Sequence, residues 1–148
     1  MKKALALLIM AMMILICSAR DNIVTATIQD TVLEVTFAIP EGMHQTLQED
    51  YFFVDVDSVS GVTFEPTVYP EGHPDADGYI NYEGTVTLTK KFSIAESIDP
   101  ATISITLWAG YQLCFPSYCE PPAEVEISLS LAPQTKDATP LESHYETN

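Results

Sequence analysis

The chain has 148 residues, with 21 acidic and only six basic side chains, a formal charge of −15 at pH 7 and 47% hydrophobic residues. A surface this acidic repels phosphate backbones, so nucleic acid is excluded as a partner, and any charged partner has to present a basic face. The length suits one domain around one core.

The first element in chain order is an export signal. Lys2 and Lys3 precede an unbroken apolar run from Ala4 to Cys17, followed by Ser18-Ala19-Arg20. A basic start, an apolar stretch of about 14 residues and small residues before a cut are the marks of a secretory signal peptide. The run is shorter than the roughly 20 residues a membrane-spanning helix needs. Residues 1–19 are therefore expected to be removed. The mature chain keeps 129 of the 148 residues, and loss of Lys2 and Lys3 takes the charge from −15 to −17. A rival reading of Leu15-Ile16-Cys17 makes Cys17 a lipidated anchor, although Ile16 is bulkier than the small residue such signals carry there.

Residues 20–132 are expected to form the domain, and period-two alternation dominates them. A first strand falls over residues 22–29. Leu33, Val35, Phe37 and Ile39 then alternate with Glu34, Thr36 and Ala38, and Phe52, Val54 and Val56 with Phe53 and Asp55. Shorter strands are expected from Val62 to Val68 and from Tyr79 to Tyr82. Val86 and Leu88 follow, then Ile103, Ile105 and Leu107, and finally Val125, Ile127, Leu129 and Leu131. Each run reads as a strand with one buried and one wet face. Seven or eight such strands, punctuated by Gly, Pro and Asp, predict an all-β, immunoglobulin-like antiparallel β-sandwich. Residues 40–50 read as a polar loop with room for a helical turn. Residues 69–78 read as a second loop, rich in turn formers and acids. From Pro133 the chain is polar without pattern, and residues 133–148 are expected to be a disordered tail.

Two cysteines remain after cleavage, Cys114 and Cys119, at the link between the last two strands. An exported protein sits where disulfides form, so the two are expected to pair. Fully extended, five residues hold the α-carbons about 16 Å apart, whereas a disulfide needs about 4.4–6.8 Å. The chain must reverse between them, and Pro116-Ser117 suits the centre of a type I turn. Closing so short a loop stabilises by roughly 2 kcal/mol, against nearly 5 for a 100-residue loop. Spacing alone leaves three readings open: a redox-active pair, an inert staple, or a metal site completed by a residue such as His73. No Lys, Arg or His stands near the pair in sequence, so weakly acidic thiols activated by a partner are expected.

The segment Tyr111-Gln112-Leu113-Cys114, four residues, then Cys119-Glu120-Pro121-Pro122 resembles the YQ-x-C…C-x-PP motif of the N-terminal periplasmic domain of the thiol:disulfide interchange protein DsbD. Val62-Thr63-Phe64-Glu65-Pro66, Tyr69-Pro70 and Tyr82-Glu83-Gly84 add to the likeness, which spans residues 22–131. The resemblance implies a periplasmic immunoglobulin-like domain that takes electrons from a membrane-embedded thiol donor and passes them to periplasmic thioredoxin-like acceptors. It needs no cofactor or metal and acts as a monomer. Cys119 corresponds to the cysteine of the mixed disulfide and Cys114 to the resolving thiol. The family shields its pair with an aromatic cap loop. Here that loop falls within Asp75 to Tyr79, with Tyr79 as the cap and Tyr111, Phe115 and Tyr118 as neighbours. The family's acidic-Phe arrangement in that loop is not present. The full-length family protein continues into membrane and thioredoxin-like domains, so a separate donor is expected here.

Other candidates are weaker. Asp55-Asp57 and Asp75-Asp77 lack the Gly and distal Glu of a calcium loop. No nucleophile elbow is present. Tyr51, Phe53 and Trp108 are the aromatics available for an exposed contact patch. The competing class of function is a non-catalytic immunoglobulin-like binding module whose disulfide pins a loop.

Overall fold

The computed structural model describes residues 23–132. The expected signal peptide, Cys17 and the expected tail lie outside the described residues. Eleven strands follow one another: β1 (Val24–Gln29), β2 (Val32–Ala38), β3 (His44–Thr46), β4 (Phe53–Val56), β5 (Val62–Phe64), β6 (His73–Pro74), β7 (Ile80–Tyr82), β8 (Thr85–Ile94), β9 (Ser104–Tyr111), β10 (Leu113–Cys114) and β11 (Ala123–Ser130). One 3₁₀ turn, Pro100–Thr102, is capped by the Asp99 carboxylate, which accepts the Ala101 N–H. Among the described residues no helix is long and apolar enough to cross a membrane.

The alternating runs become strands of an immunoglobulin-like sandwich, as expected. A sheet ordered β1-β2-β8-β5 and a sheet ordered β11-β9-β4 each turn an apolar face inward, and every pairing is antiparallel. Leu33, Val35 and Phe37 from β2, Val86 and Leu88 from β8, and Leu107 and Ala109 from β9 form the buried layer between them. Phe92, Ile103 and Ile105 extend it towards the far end. Phe52 is fully buried just ahead of β4, with its ring 4.9 Å from Phe37 and 5.5 Å from Tyr82. The Tyr69 hydroxyl donates to Phe52 O at 2.9 Å and the Tyr82 hydroxyl to Pro70 O at 3.0 Å, so both phenols close on backbone. Val125, Ile127 and Leu129 are only half-buried, because β11 lies at a sheet edge.

The strand count exceeds expectation because three very short strands hide in stretches read as loops. Residues 40–50 carry β3, and the helical character there reduces to one turn, in which the Phe52 N–H donates to Gln48 O at 2.7 Å. Residues 69–78 carry β6. Together with β7 and β10 they make a small end sheet, β10-β3-β7-β6. In the other direction, the expected Val62–Val68 strand shortens to Val62–Phe64, and Val68 rejoins only by a single bridge to Thr89. Strands this short carry too few side chains to show a period.

Candidate functional site

The cysteine pair sits where the chain changes sheets. β9 pairs with β11 through Tyr111 and Ala123, and two residues later Leu113 and Cys114 pair instead with Gln45 and His44 of β3. Gln112 lies at the switch, outside both ladders. Opposite it stand Pro121 and Pro122, which have no N–H to offer. The Gln112 N–H is taken by the side chain of Gln45, whose Oε1 accepts it at 2.7 Å. Gln45 is the one buried polar residue among the described residues, 2% exposed, and its Nε2 donates to Thr46 O at 2.8 Å. The Gln112 side chain in turn donates to Glu120 O at 3.1 Å. A hairpin too short to hold itself is thus bolted to β3 and to its own outer arm.

Within that hairpin the chain reverses at Pro116-Ser117, as the sequence predicts. Phe115 N–H donates to Tyr118 O and Glu120 N–H to Leu113 O, both at 2.8 Å. These bonds flank Cys114 and Cys119 as a non-hydrogen-bonded antiparallel pair, the arrangement that brings opposed α-carbons closest. Their α-carbons are 3.9 Å apart and the sulfurs are bonded. Phe115 and Tyr118 stack across the reversal with centroids 4.8 Å apart. The two cysteines are unequally placed. Cys114 is 4% exposed, with its Sγ 3.9 Å from Gln112 O, whereas Cys119 lies on the exposed arm. Thiol–disulfide exchange needs access to one sulfur, and of the two residues Cys119 is the exposed one.

A cleft of about 210 Å³ runs beside the bond, lined by Gln45, Thr46, Gln48, Asp75, Tyr79, Gln112, Cys114 and Cys119. The stretch Asp75 to Tyr79 therefore flanks the pair, where the resemblance puts a cap. Asp75 organises that loop. One carboxylate oxygen accepts the N–H groups of Asp77 and Tyr79, each at 2.9 Å, and the other accepts the Asn81 amide at 3.1 Å. The Asn81 carbonyl oxygen accepts the Thr46 hydroxyl at 2.7 Å, which ties the loop to β3. Desolvation raises the Asp75 pKa, but the bonds from Tyr79, Asn81, Asp77 and Gly78 together outweigh it and hold the carboxyl below its usual range. Tyr79, which lines the cleft with Cys119, is 55% exposed, and Tyr118, next to Cys119 in the chain, 58%. Tyr111 is half-buried and points its ring at Phe37, 6.4 Å away, which makes it part of the core rim.

Sequence reasoning missed two residues here. His44 is distant in the chain yet directly opposite Cys114, a neighbour that the lack of Lys, Arg and His around the pair in sequence does not reveal. Gln45 also carried no signal, because a single glutamine in a polar run has no pattern to betray its burial. The aromatics considered for a contact patch divide. Phe53 is half-buried over Gly110, and the Trp108 Nε1–H donates to Asp57 at 3.3 Å, leaving Tyr51 exposed. Among the described residues, no three His, Cys, Asp or Glu side chains group as metal ligands.

Fold and site define a class: an immunoglobulin-like sandwich with a hairpin disulfide at one end, one cysteine buried and the other exposed. No family model and no curated protein matches the sequence. Among solved structures, the chain is similar to the N-terminal domain of DsbD from Neisseria meningitidis in its reduced form. The TM-score is 0.54 at 17% identity, over 71% of this chain and 81% of that one. It is also similar to a chain of the complex between the DsbD N-terminal and PilB N-terminal domains of the same organism, with a TM-score of 0.51 at 15% identity, over 72% and 80%. The fold is that of the DsbD N-terminal domain.

Proposed function

We propose that this chain is a periplasmic thiol–disulfide interchange domain that passes two electrons through Cys114 and Cys119 to thioredoxin-like partners. The observation that carries the reading is the asymmetry of the pair. A staple gains nothing from leaving one cysteine exposed beside a cleft, whereas exchange requires one accessible cysteine and one held in reserve. The fold likeness supports it, since one of the similar structures is a complex of a DsbD N-terminal domain with another protein domain. The N-terminal signal would deliver the chain to the compartment where such exchange takes place.

The roles follow from access. In the reduced domain, Cys119 thiolate attacks the acceptor disulfide and forms a mixed disulfide. Cys114 then attacks Cys119 Sγ, the bond to the acceptor breaks, and the acceptor leaves reduced while the pair is oxidised. The domain is recharged by a membrane-embedded thiol donor. Tyr79 and the loop from Asp75 cover the cleft between encounters.

The experiment is direct. Incubated folded with a reduced thioredoxin-like protein, the disulfide is expected to open without unfolding of the domain. Cys119→Ala is expected to abolish transfer, and Cys114→Ala to trap the mixed disulfide with an acceptor. A bond that resists until the domain unfolds, with no adduct formed by Cys114→Ala, would instead make this a binding module with a structural disulfide.

A further inference from the structure

The pairing of β10 with β3 sets Cys114 directly opposite His44. Residues opposed in this way share one face of the sheet, with Cβ atoms about 4.5–5.5 Å apart, within reach for an imidazole and a thiol. Cys114 is buried and His44 half-buried, so water screens the two only partly.

The other titratable groups around this column are unfavourable or further away. Continuing the Gln45–Tyr82 register by one residue brings exposed Glu83, just past β7, level with His44. His73 on β6 is level with Thr46 through Asn81, two strands from β3. The outer arm of the hairpin presents Cys119 and Glu120, and the cleft presents Asp75. Carboxylates oppose a second negative charge. Lys90 and Lys91, the only Lys or Arg among the described residues, lie on β8 in another sheet.

Resting on the interchange reading above, we propose that His44 is the proton acceptor and charge partner of the resolving cysteine. A buried thiol is a poor nucleophile because its thiolate is desolvated. In the mixed disulfide, the Cys114 proton passes to the His44 imidazole, and the thiolate attacks Cys119 Sγ. The Cys114–Cys119 bond forms and the Cys119–acceptor bond breaks. The acceptor leaves as a thiolate with the electron pair and takes up a proton from the imidazolium. The attacking thiol at Cys119 has no such partner in the ladder, so activation is reserved for the step that releases the acceptor.

The test uses the mature chain with Cys119→Ser, which leaves Cys114 as the single thiol, and follows thiolate ultraviolet absorbance against pH. Adding His44→Gln is expected to lower the thiolate population at a fixed pH about tenfold or more, the effect of losing one close opposite charge. His44→Lys, which keeps a cation at the position, is expected to restore most of it. Equal titration with His44 and with His44→Gln overturns the proposal. Should His44→Gln fail to fold, His44→Lys against His44→Met makes the same comparison, and equality there overturns it too. In the two-cysteine chain, His44→Gln is expected to accumulate mixed disulfide with a thioredoxin-like acceptor. The titration needs no partner, so it is decided separately from the interchange reading: a pair that no thioredoxin-like protein reduces defeats that reading and leaves the titration standing.

Discussion

The centre of the sandwich and the end sheet are built from different forces. Between the two large sheets, Leu33, Val35, Phe37, Phe52, Leu88 and Leu107 are all but sealed from water, and their cohesion is apolar burial with edge-on ring contacts. At the end sheet the key residues are Gln45, Thr46, Asp75, Asn81 and Gln112, and the cohesion is a chain of side-chain hydrogen bonds. Apolar packing is close to all-or-none, since opening it exposes a cavity. Hydrogen bonds at a surface exchange readily with water at small net cost. Both cysteines belong to the hydrogen-bonded end, Cys114 on β10 and Cys119 opposite it, with the loop from Asp75 to Tyr79 flanking their cleft.

That contrast can be broken, first of all, at Phe52. Truncation to Ala should cost about 3–5 kcal/mol of stability, read as a lowered midpoint in urea, with the rate of disulfide reduction in the surviving folded fraction little changed. A small loss there would show that the two regions are not energetically distinct.

Gln45→Ala should cost less, about 1–3 kcal/mol, because the part-buried Gln112 N–H loses its acceptor. Unlike the Phe52 change, it should also speed reduction of the disulfide by dithiothreitol, since the hairpin loses its bolt to β3. Unchanged reduction would separate the hairpin from that bond.

Smallest in stability, yet most telling for function, are Tyr79→Ala and Asp75→Asn. Each should leave the urea midpoint nearly unmoved and raise the rate of reduction by a water-soluble phosphine several-fold at neutral pH. The pH dependence follows from Asp75. Its folded pKa is depressed, so its contribution to loop order is fully present above the unfolded value of about 3.9 and is lost as pH falls through the folded one. Protection in the parent should therefore persist through mild acid and fail only below about pH 4, whereas Asp75→Asn should show no such step. A parent profile that is flat down to strong acid would remove the loop from the account.

Much of this was open to reading before any fold was in view. Strands β2, β8 and β9 announce themselves because their apolar side chains alternate over several residues, and those same side chains form the buried layer. The Cys114–Cys119 bond is legible for a different reason. Five residues and a central Pro-Ser leave few ways to place the sulfurs, so local chemistry suffices. The strands β3, β6 and β10 were not legible, since two or three residues have no period, and Gln45 breaks the polar-out rule that pattern reading assumes.

Local spacing and alternation were thus enough for a sandwich with a bonded cysteine pair at its end, since both follow from interactions within a few residues. That Gln45 and His44 stand across from Leu113 and Cys114 came from strands meeting at a separation of about 70 residues in the chain. Long-range register is set by how whole sheets pack, and no short stretch of sequence carries it.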